Sequence, residues 1–469
     1  MIFSSYTFIF LFFPIVFAVY AVLRKAGKIN AMKIWLVLAS LFFYGFGDPR
    51  FFPVLFFTAI FNFFISRGLQ KDGVKQWQRV LLMVIGVAEN LGLLFYFKYS
   101  NFFLENFNRL TGADIPLLHI ILPLGISFYT FQLISYLADS FSGDAKGYSF
   151  IDYMVFVTFF PQLIVGPVVT HDDIMPQLSE KNLLRVDKKG IMLGILLFAI
   201  GCFKKIVIAD PLITHAAAYY NGGDVSGIFR AWSAVLAYTF AYYFDFSGYI
   251  DMALGLGRFF NIELPQNFNS PYKARNFADF WRRWNITVSN FLNDNVFKNI
   301  FHFGDGVVKL IIATLITFIV SGLWHGAGWH FVAWGVANGI FVCFANIMTL
   351  HRKSLPFPLA WALTFFFSVL VRVLFDALNT AQAFEVYKVM FTPVPWDELA
   401  AQWTAYISGS WGIIGMLIFS AVIIFGFRNS GEIAERFEPK ARYAVYSAVL
   451  LGVSLFFMGQ VSNFLYFQF

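Results

Sequence analysis

His325 lies in Ser321-Gly322-Leu323-Trp324-His325-Gly326-Ala327-Gly328-Trp329-His330, a histidine set among glycines and tryptophans in an otherwise apolar stretch. An ionisable side chain in such a stretch is costly, so it marks a site and needs a partner. Gly322, Gly326 and Gly328 remove side chains around the ring, leaving room for a substrate or for another backbone. An imidazole has an unperturbed pKa of about 6.5 and, once desolvated, is neutral near pH 7. That form accepts a proton, so the chemistry on offer is general-base catalysis. Where such a step builds negative charge on an oxygen, a hydrogen-bond donor is needed as well. Trp324 and Trp329 are placed to wall a cavity around the histidine.

A candidate donor lies upstream, between Asn276 and Leu292. Phe277, Phe280, Trp281, Trp284, Val288, Phe291 and Leu292 recur at helical spacing, with Arg282 and Arg283 on the other side. The pattern predicts one amphipathic helix lying in the bilayer interface. At about 100° per residue, Asn285 falls at the edge of the apolar arc, where its amide can turn inward to orient the histidine or to donate to a carbonyl oxygen. Lys273, Arg275, Arg282 and Arg283 form a basic group beside it. They either set membrane topology or attract the phosphates of a ligand, since guanidinium and ammonium groups suit phosphate oxygens. Arg282 and Arg283, with Trp324 from the cavity wall, are the candidate ligand-binding residues.

Several blocks carry a resemblance. Asn-Phe-Asn-Ser-Pro-Tyr-Lys-Ala (267 to 274), Phe-Trp-Arg-Arg-Trp (280 to 284) and Gly-Leu-Trp-His-Gly-Ala (322 to 327) resemble the membrane-bound O-acyltransferase family, in its bacterial alginate and peptidoglycan O-acetyltransferase branch. Leu-Pro-Leu-Gly-Ile-Ser-Phe (122 to 128), Gly-Pro-Val-Val (166 to 169), Phe-Lys-Lys-Ile-Val-Ile-Ala-Asp (203 to 210), Tyr-Phe-Asp-Phe-Ser-Gly-Tyr (243 to 249) and the terminal Tyr-Phe-Gln-Phe match as well, so the similarity spans nearly the whole chain. The resemblance implies that His325 is the essential histidine, that acetyl-CoA is the donor with no permanently bound cofactor, and that the acceptor is an extracytoplasmic polysaccharide. It further implies transfer either directly or through a periplasmic esterase-like (SGNH) acetyltransferase partner. The bacterial branch usually has a second histidine after Arg-Arg-Trp, where this chain has Asn285. Branches that acylate sterols, diacylglycerol or peptides pair an asparagine with the histidine, so the resemblance gives Asn285 a polar role and excludes a two-histidine mechanism. The Ile-Pro-Leu-Gly-Gly run common in the bacterial branch is replaced here by Lys298 to Gly306.

Other candidates are weaker. His325 and His330 are five apart, which on a helix sets the side chains about 140° from one another, unlike a four-residue zinc pair. A metal site is therefore not expected, and His330 reads as a packing residue. His119, His171, His215, His302 and His351 fall near predicted span ends. Cys202 and Cys343 sit in apolar stretches and suggest neither a disulfide framework nor a metal site. Glu89, Asp245, Asp251, Arg372 and Asp376 lie in or beside apolar spans and must pair or face water. Arg372 and Asp376 have the spacing of an ion pair on one helix. No P-loop, dinucleotide fingerprint or Gly-x-Ser-x-Gly elbow occurs.

These residues need a frame, and composition says which. With 59% apolar, 20% aromatic and only 13% charged residues, the chain is an all-α polytopic membrane protein of one integral domain, residues 1 to 469, with no nucleic-acid role. Its 63 phenylalanines read as lipid-facing or inter-helix filler. Apolar spans are predicted at 5 to 23, 32 to 47, 51 to 66, 80 to 98, 116 to 138, 190 to 208, 228 to 257, 307 to 323, 327 to 350, 356 to 377, 410 to 427 and 443 to 464, about 11 to 13 helices around a central cavity. The basic loops 24 to 33, 67 to 79, 258 to 283 and 428 to 442 all fall on the cytoplasmic side if both termini are periplasmic and the protein sits in a bacterial inner membrane. Met1 to Val22 lacks a basic start and reads as a retained helix. Residues 150 to 170 break the alternation, and Pro161, Gly166 and Pro167 interrupt them, so they are predicted to form a re-entrant or broken helix lining a substrate path. Thr392 to Glu398 is expected as a periplasmic loop, either solvated or touching a partner.

Two competing functions stay open at this point. A transporter for acyl donor or polysaccharide would use the broken helix and the buried charges without chemistry, although transporters usually carry internal repeats and none is visible. The same fold can also transfer another acyl group, such as D-alanyl.

Overall fold

Long apolar runs with few helix breakers must satisfy their backbone internally in lipid, and helices do so. The structure, a computed structural model, describes residues 1–221, 226–302, 304–460 and Leu465. Among these it is helical throughout apart from turns and loops, with one isolated antiparallel bridge. Eight helical segments among the described residues are long and apolar enough to cross a membrane: Phe8–Lys25, Pro49–Gln70, Gln76–Thr111, Lys188–Tyr220, Val307–His325, Trp329–Leu350, Phe357–Asp376 and Trp396–Gly426. Ile29–Gly45 and Ala441–Phe457 are shorter apolar helices. The terminal Tyr-Phe-Gln-Phe and the end of the last expected span lie outside the described residues.

Two expected spans differ. Residues 116 to 138 do not form one helix: Pro116, Pro123 and Gly125 keep the chain irregular until Ile126–Ser142. Gly125 sits at φ 75°, and a β-carbon there would meet the Leu163 carbonyl oxygen at 2.9 Å. The stretch 228 to 257 does form a helix, Ile228–Phe259, but it carries Arg230, Asp245, Asp251 and Arg258 and is too polar to count among the eight.

The residues form two compact units interleaved along the chain. The first comprises Met1–Ala199, Tyr249–Gln266 and Glu438–Ala448, and the second Ile200–Gly248, Asn267–Phe437 and Val449–Phe469. In the first, Phe3, Phe8, Phe43 and Phe160 are buried against one another, while Phe57 and Phe64 point outward at 66% and 67% exposure. Phenylalanine on both sides of a helix is what a lipid-facing bundle requires. Polar groups join its helices: the Asn62 amide donates to Glu89 (3.1 Å) and Asn90 donates to Asn62 (2.7 Å). The expected broken helix is present as Phe150–Thr158 and Phe160–Leu163, parted at Phe159 (ψ 110°). Its Gly166 is packed so tightly that a β-carbon would lie 2.1 Å from Gln162 Cα. Non-helical backbone here is thus buried in protein.

In the second unit, Val307–His325 and Trp329–Leu350 form a helical hairpin turned by Gly326-Ala327-Gly328. A β-carbon on Gly322 would lie 2.3 Å from the Phe331 carbonyl oxygen, and one on Gly335 would lie 2.3 Å from that of Phe318. The two glycines therefore let the backbones touch. Phe357–Asp376 packs on this hairpin, and Trp396–Gly426 follows with a kink at Ser410 (φ −126°, ψ 16°). Trp396, Asp397 and Glu398 of the expected loop form that helix's first turn, where the carboxylates suit the positive helix end.

Candidate active site

His325 ends the Val307–His325 helix and is 5% exposed. Its ring is boxed edge-to-face by Trp324 (centroids 4.7 Å, 67°), Trp334 (5.0 Å, 84°) and Phe375 (5.1 Å, 75°). Trp334 comes from the second arm of the hairpin and Phe375 from Phe357–Asp376, so three helices fix one imidazole. The neighbouring glycines make room for protein: a β-carbon at Gly326 would strike the Phe331 ring, and one at Gly328 the His330 ring. Of the two openings the sequence allowed, close backbone approach is the one Gly322 makes. Trp324 is buried in the box, whereas Trp329 is 56% exposed and does not wall it.

Behind Phe375 lies the buried ion pair that the sequence spacing predicts. Arg372 grips Asp376 through two hydrogen bonds (2.9 and 2.6 Å). The same guanidinium covers the rings of Tyr242 (3.5 Å to the centroid) and Phe375 (4.4 Å). Asp245 is likewise paired, with Lys205 Nζ 2.7 Å from both Asp210 and Asp245.

The segment around Asn285 corrects the sequence reading. It is two short helices, Phe277–Trp281 and Ile286–Leu292, not one amphipathic helix. Asn276 caps the first, its side chain accepting the Asp279 N–H at 2.8 Å. The chain then pairs with an upstream strand-like stretch: Asn269 N–H donates to Arg283 O (2.9 Å) and Ile286 N–H to Asn267 O (3.0 Å), around a Phe268–Trp284 bridge. This pairing outweighs helical periodicity. Asn285 takes the left-handed conformation at φ 44°, ψ 55° that asparagine tolerates better than most residues. It is 2% exposed, and its side-chain oxygen accepts from the Asn267 amide at 3.0 Å.

Aromatic contacts link this segment to the histidine. Trp284 stacks on Tyr242 (6.0 Å, 11°), and Tyr242 meets Phe375 (5.4 Å), which meets His325. Trp281 packs on Trp334 (5.6 Å) and donates to Asn338 (3.2 Å). Asn285 and His325 thus belong to one continuous buried cluster.

The basic group is dispersed. Arg283 binds Asp279 (2.9 Å), Lys273 donates to the Phe427 carbonyl (2.7 Å), and Arg275 lies over Phe357 (4.7 Å). Arg282 is exposed and makes no ion pair among the described residues. Among the described residues it alone of the four cations has neither a polar partner nor a ring against its side chain. Tyr242, Phe375 and Asn267 escaped the sequence reading. Asn267 stands in the 267 to 274 block that carries the resemblance, which was its available signal, whereas nothing local marks Tyr242 or Phe375 as neighbours of His325.

A buried imidazole and a buried asparagine amide, linked through stacked rings in a helical membrane frame, are side chains of the kind acyl transfer uses. Comparison with known proteins gives the same class. The family model described as MBOAT, membrane-bound O-acyltransferase family, matches residues 94–376, more than half of the chain, and the chain belongs to that family. It is an O-acyltransferase.

It is 36% identical to the peptidoglycan O-acetyltransferase of Helicobacter pylori, over 100% of this chain and 98% of that protein. It is 33% identical to the probable alginate O-acetylase AlgI of Pseudomonas aeruginosa, over 92% of this chain and 82% of that one. To the teichoic acid D-alanyltransferase of Streptococcus thermophilus it is 29% identical, over 50% of this chain and 59% of that protein.

Proposed function

We propose that this protein moves an acetyl group from cytoplasmic acetyl-CoA to a hydroxyl of an extracytoplasmic polysaccharide, peptidoglycan or an alginate-like polymer, with His325 as the base. The observation that carries the reading is a buried imidazole boxed by Trp324, Trp334 and Phe375, in a chain similar over nearly its whole length to two kinds of O-acetyltransferase. His325 takes the proton of the attacking hydroxyl as its oxygen bonds to the thioester carbonyl carbon. The Asn285 amide donates to the oxygen that becomes negative. The carbon–sulfur bond then breaks, and the proton passes from the imidazolium to the departing thiolate, leaving the ester and free coenzyme A.

Ring walls around the imidazole exclude water, which favours transfer over hydrolysis. Arg282, exposed, and Trp324, buried against His325, serve donor binding, the former through the coenzyme A phosphates. The acceptor is either the polymer itself or a periplasmic esterase-like acetyltransferase that relays the group. The protein lies in the inner membrane with both termini in the periplasm, as the basic loops indicate.

Transfer of label from acetyl-CoA to a polysaccharide fragment by purified protein tests this reading. His325→Ala is expected to lower kcat by about 10² to 10⁴; undiminished transfer would defeat it. Preference for a D-alanyl donor in competition would move the chain to the reaction named for its half-length relatives.

A further inference from the structure

The amide of Asn285 has two possible orientations, and only one presents its N–H2 group to an acyl oxygen. The neighbouring side chains decide which. Asn267, fully buried, accepts the Thr287 backbone N–H (2.9 Å) and the Thr287 hydroxyl (3.0 Å) through one side-chain atom. A backbone N–H can only donate, so that atom is the Asn267 oxygen. The other end of the Asn267 amide is then a donor, and it points at Asn285 (3.0 Å). The Asn285 atom facing it must in turn be an oxygen. Its nitrogen is therefore turned away from Asn267.

We infer that Asn267 is a positioning residue, which uses the Thr287 backbone N–H to fix the Asn285 amide with its N–H2 group directed at the substrate. The inference rests on the reading of Asn285 as the oxyanion donor and adds the device that aims it. The irregular backbone has a purpose on this account. The left-handed turn at Asn285 and the Asn267 carbonyl bond to Ile286 (3.0 Å) hold the two amides face to face. A continuous helix over 276 to 292 would carry the Asn285 side chain outward along the helix surface instead.

Asn267→Asp tests the inference. The carboxylate still accepts from Thr287, but it also accepts toward Asn285, whose amide must flip and use its N–H2 group there. The expected loss is about 10²-fold in kcat, with KM for acetyl-CoA within about two-fold of wild type. Asn285→Gly removes the amide while leaving the left-handed turn unstrained. In that background Asn267→Asp is expected to cost nothing further in kcat, because the group it aims is gone.

If Asn267→Asp does not accumulate in membranes, Asn267→Ala replaces it, with a smaller loss that also vanishes in the Asn285→Gly background. Thr287→Val keeps the backbone N–H but removes the hydroxyl donor to Asn267, so its loss in kcat should be well below that of Asn267→Asp. Losses that multiply in the double variant, or a Thr287→Val as slow as Asn267→Asp, overturn the positioning role. A slow Asn285→Gly with a fast Asn267→Asp overturns it alone. A fast Asn285→Gly removes the functional reading of Asn285, and the positioning role falls with it.

Discussion

Two buried histidines in this protein are held in opposite ways. His325 is enclosed by ring edges and faces, from Trp324, Trp334 and Phe375. His171, outside the spans and just after the broken helix of the first unit, has Asp139 2.8 Å from Nδ1 and Asp172 3.1 Å from Nε2. Burial by itself lowers the His171 pKa, but the hydrogen bond and charge of Asp139, joined by Asp172 and the Asp144 backbone, outweigh it and hold the ring above its usual value. With a carboxylate beside each nitrogen, His171 is a brace whose charged form is favoured. Aromatic walls hold the His325 ring by its faces and edges, the setting that the proposed proton transfer asks of it. Burial of a histidine therefore says little about its task; the chemistry of its neighbours says more.

The sharpest way to break this contrast is to make the same substitution twice. His325→Ala should cost about 10²- to 10⁴-fold in kcat, whereas His171→Ala should leave kcat within a few-fold and lower thermal stability in detergent. Equal loss of turnover at both positions would erase the distinction. Next in size, Arg372→Ala leaves Asp376, whose side chain is 3% exposed, as an unpaired buried charge beneath the His325 box. This should destabilise the fold by about 3–5 kcal/mol, measured by unfolding, and an Arg372→Ala/Asp376→Ala double variant should regain part of it.

Gly322→Ala sets a methyl 2.3 Å from a backbone oxygen that cannot rotate away. About 1–3 kcal/mol of destabilisation is expected, with a fall in turnover because the hairpin carries His325. An Ala variant as stable and active as wild type would mean that the hairpin tolerates opening.

The pH dependence sharpens the comparison further. His171 has a folded-state pKa above its unfolded value of about 6.5, so its contribution is fully present below that value and is lost as pH rises through the folded pKa. The stability gap between wild type and His171→Gln should be widest in mild acid and close toward alkaline pH. A gap that widens with pH would contradict the brace. Smallest of all, Arg282→Gln should raise KM for acetyl-CoA by about two- to five-fold, more at low salt than at high, with kcat kept. An unchanged KM would place the donor phosphates elsewhere.

The sequence shows the frame more clearly than the site. Apolar runs long enough to span are unmistakable because lipid demands uninterrupted helices, and ten of the twelve expected spans have an apolar helix in the structure. Of the other two, the stretch before Ile126 failed at its prolines, and Ile228–Phe259 is helical but more polar than a free-standing span. His325 stood out in the sequence because a histidine flanked by glycines and tryptophans in an apolar run is conspicuous. The geometry expected of Asn285 was wrong: it sits on a left-handed turn and not on a helix edge. Periodicity could not show this, since the bonds that break the helix come from residues 267 to 269.

Local chemistry alone determined that the chain is a helical membrane protein, that it carries one conspicuous histidine, and that Arg372 would find Asp376 one turn along the same helix. Only the tertiary structure decided that Arg372 covers Tyr242 and Phe375, that Phe375 and Trp334 close on His325, and that Asn267 sets the Asn285 amide. Those partners lie on separate elements, and no spacing rule reaches across them. A site assembled from several helices comes into being only when packing brings their side chains together.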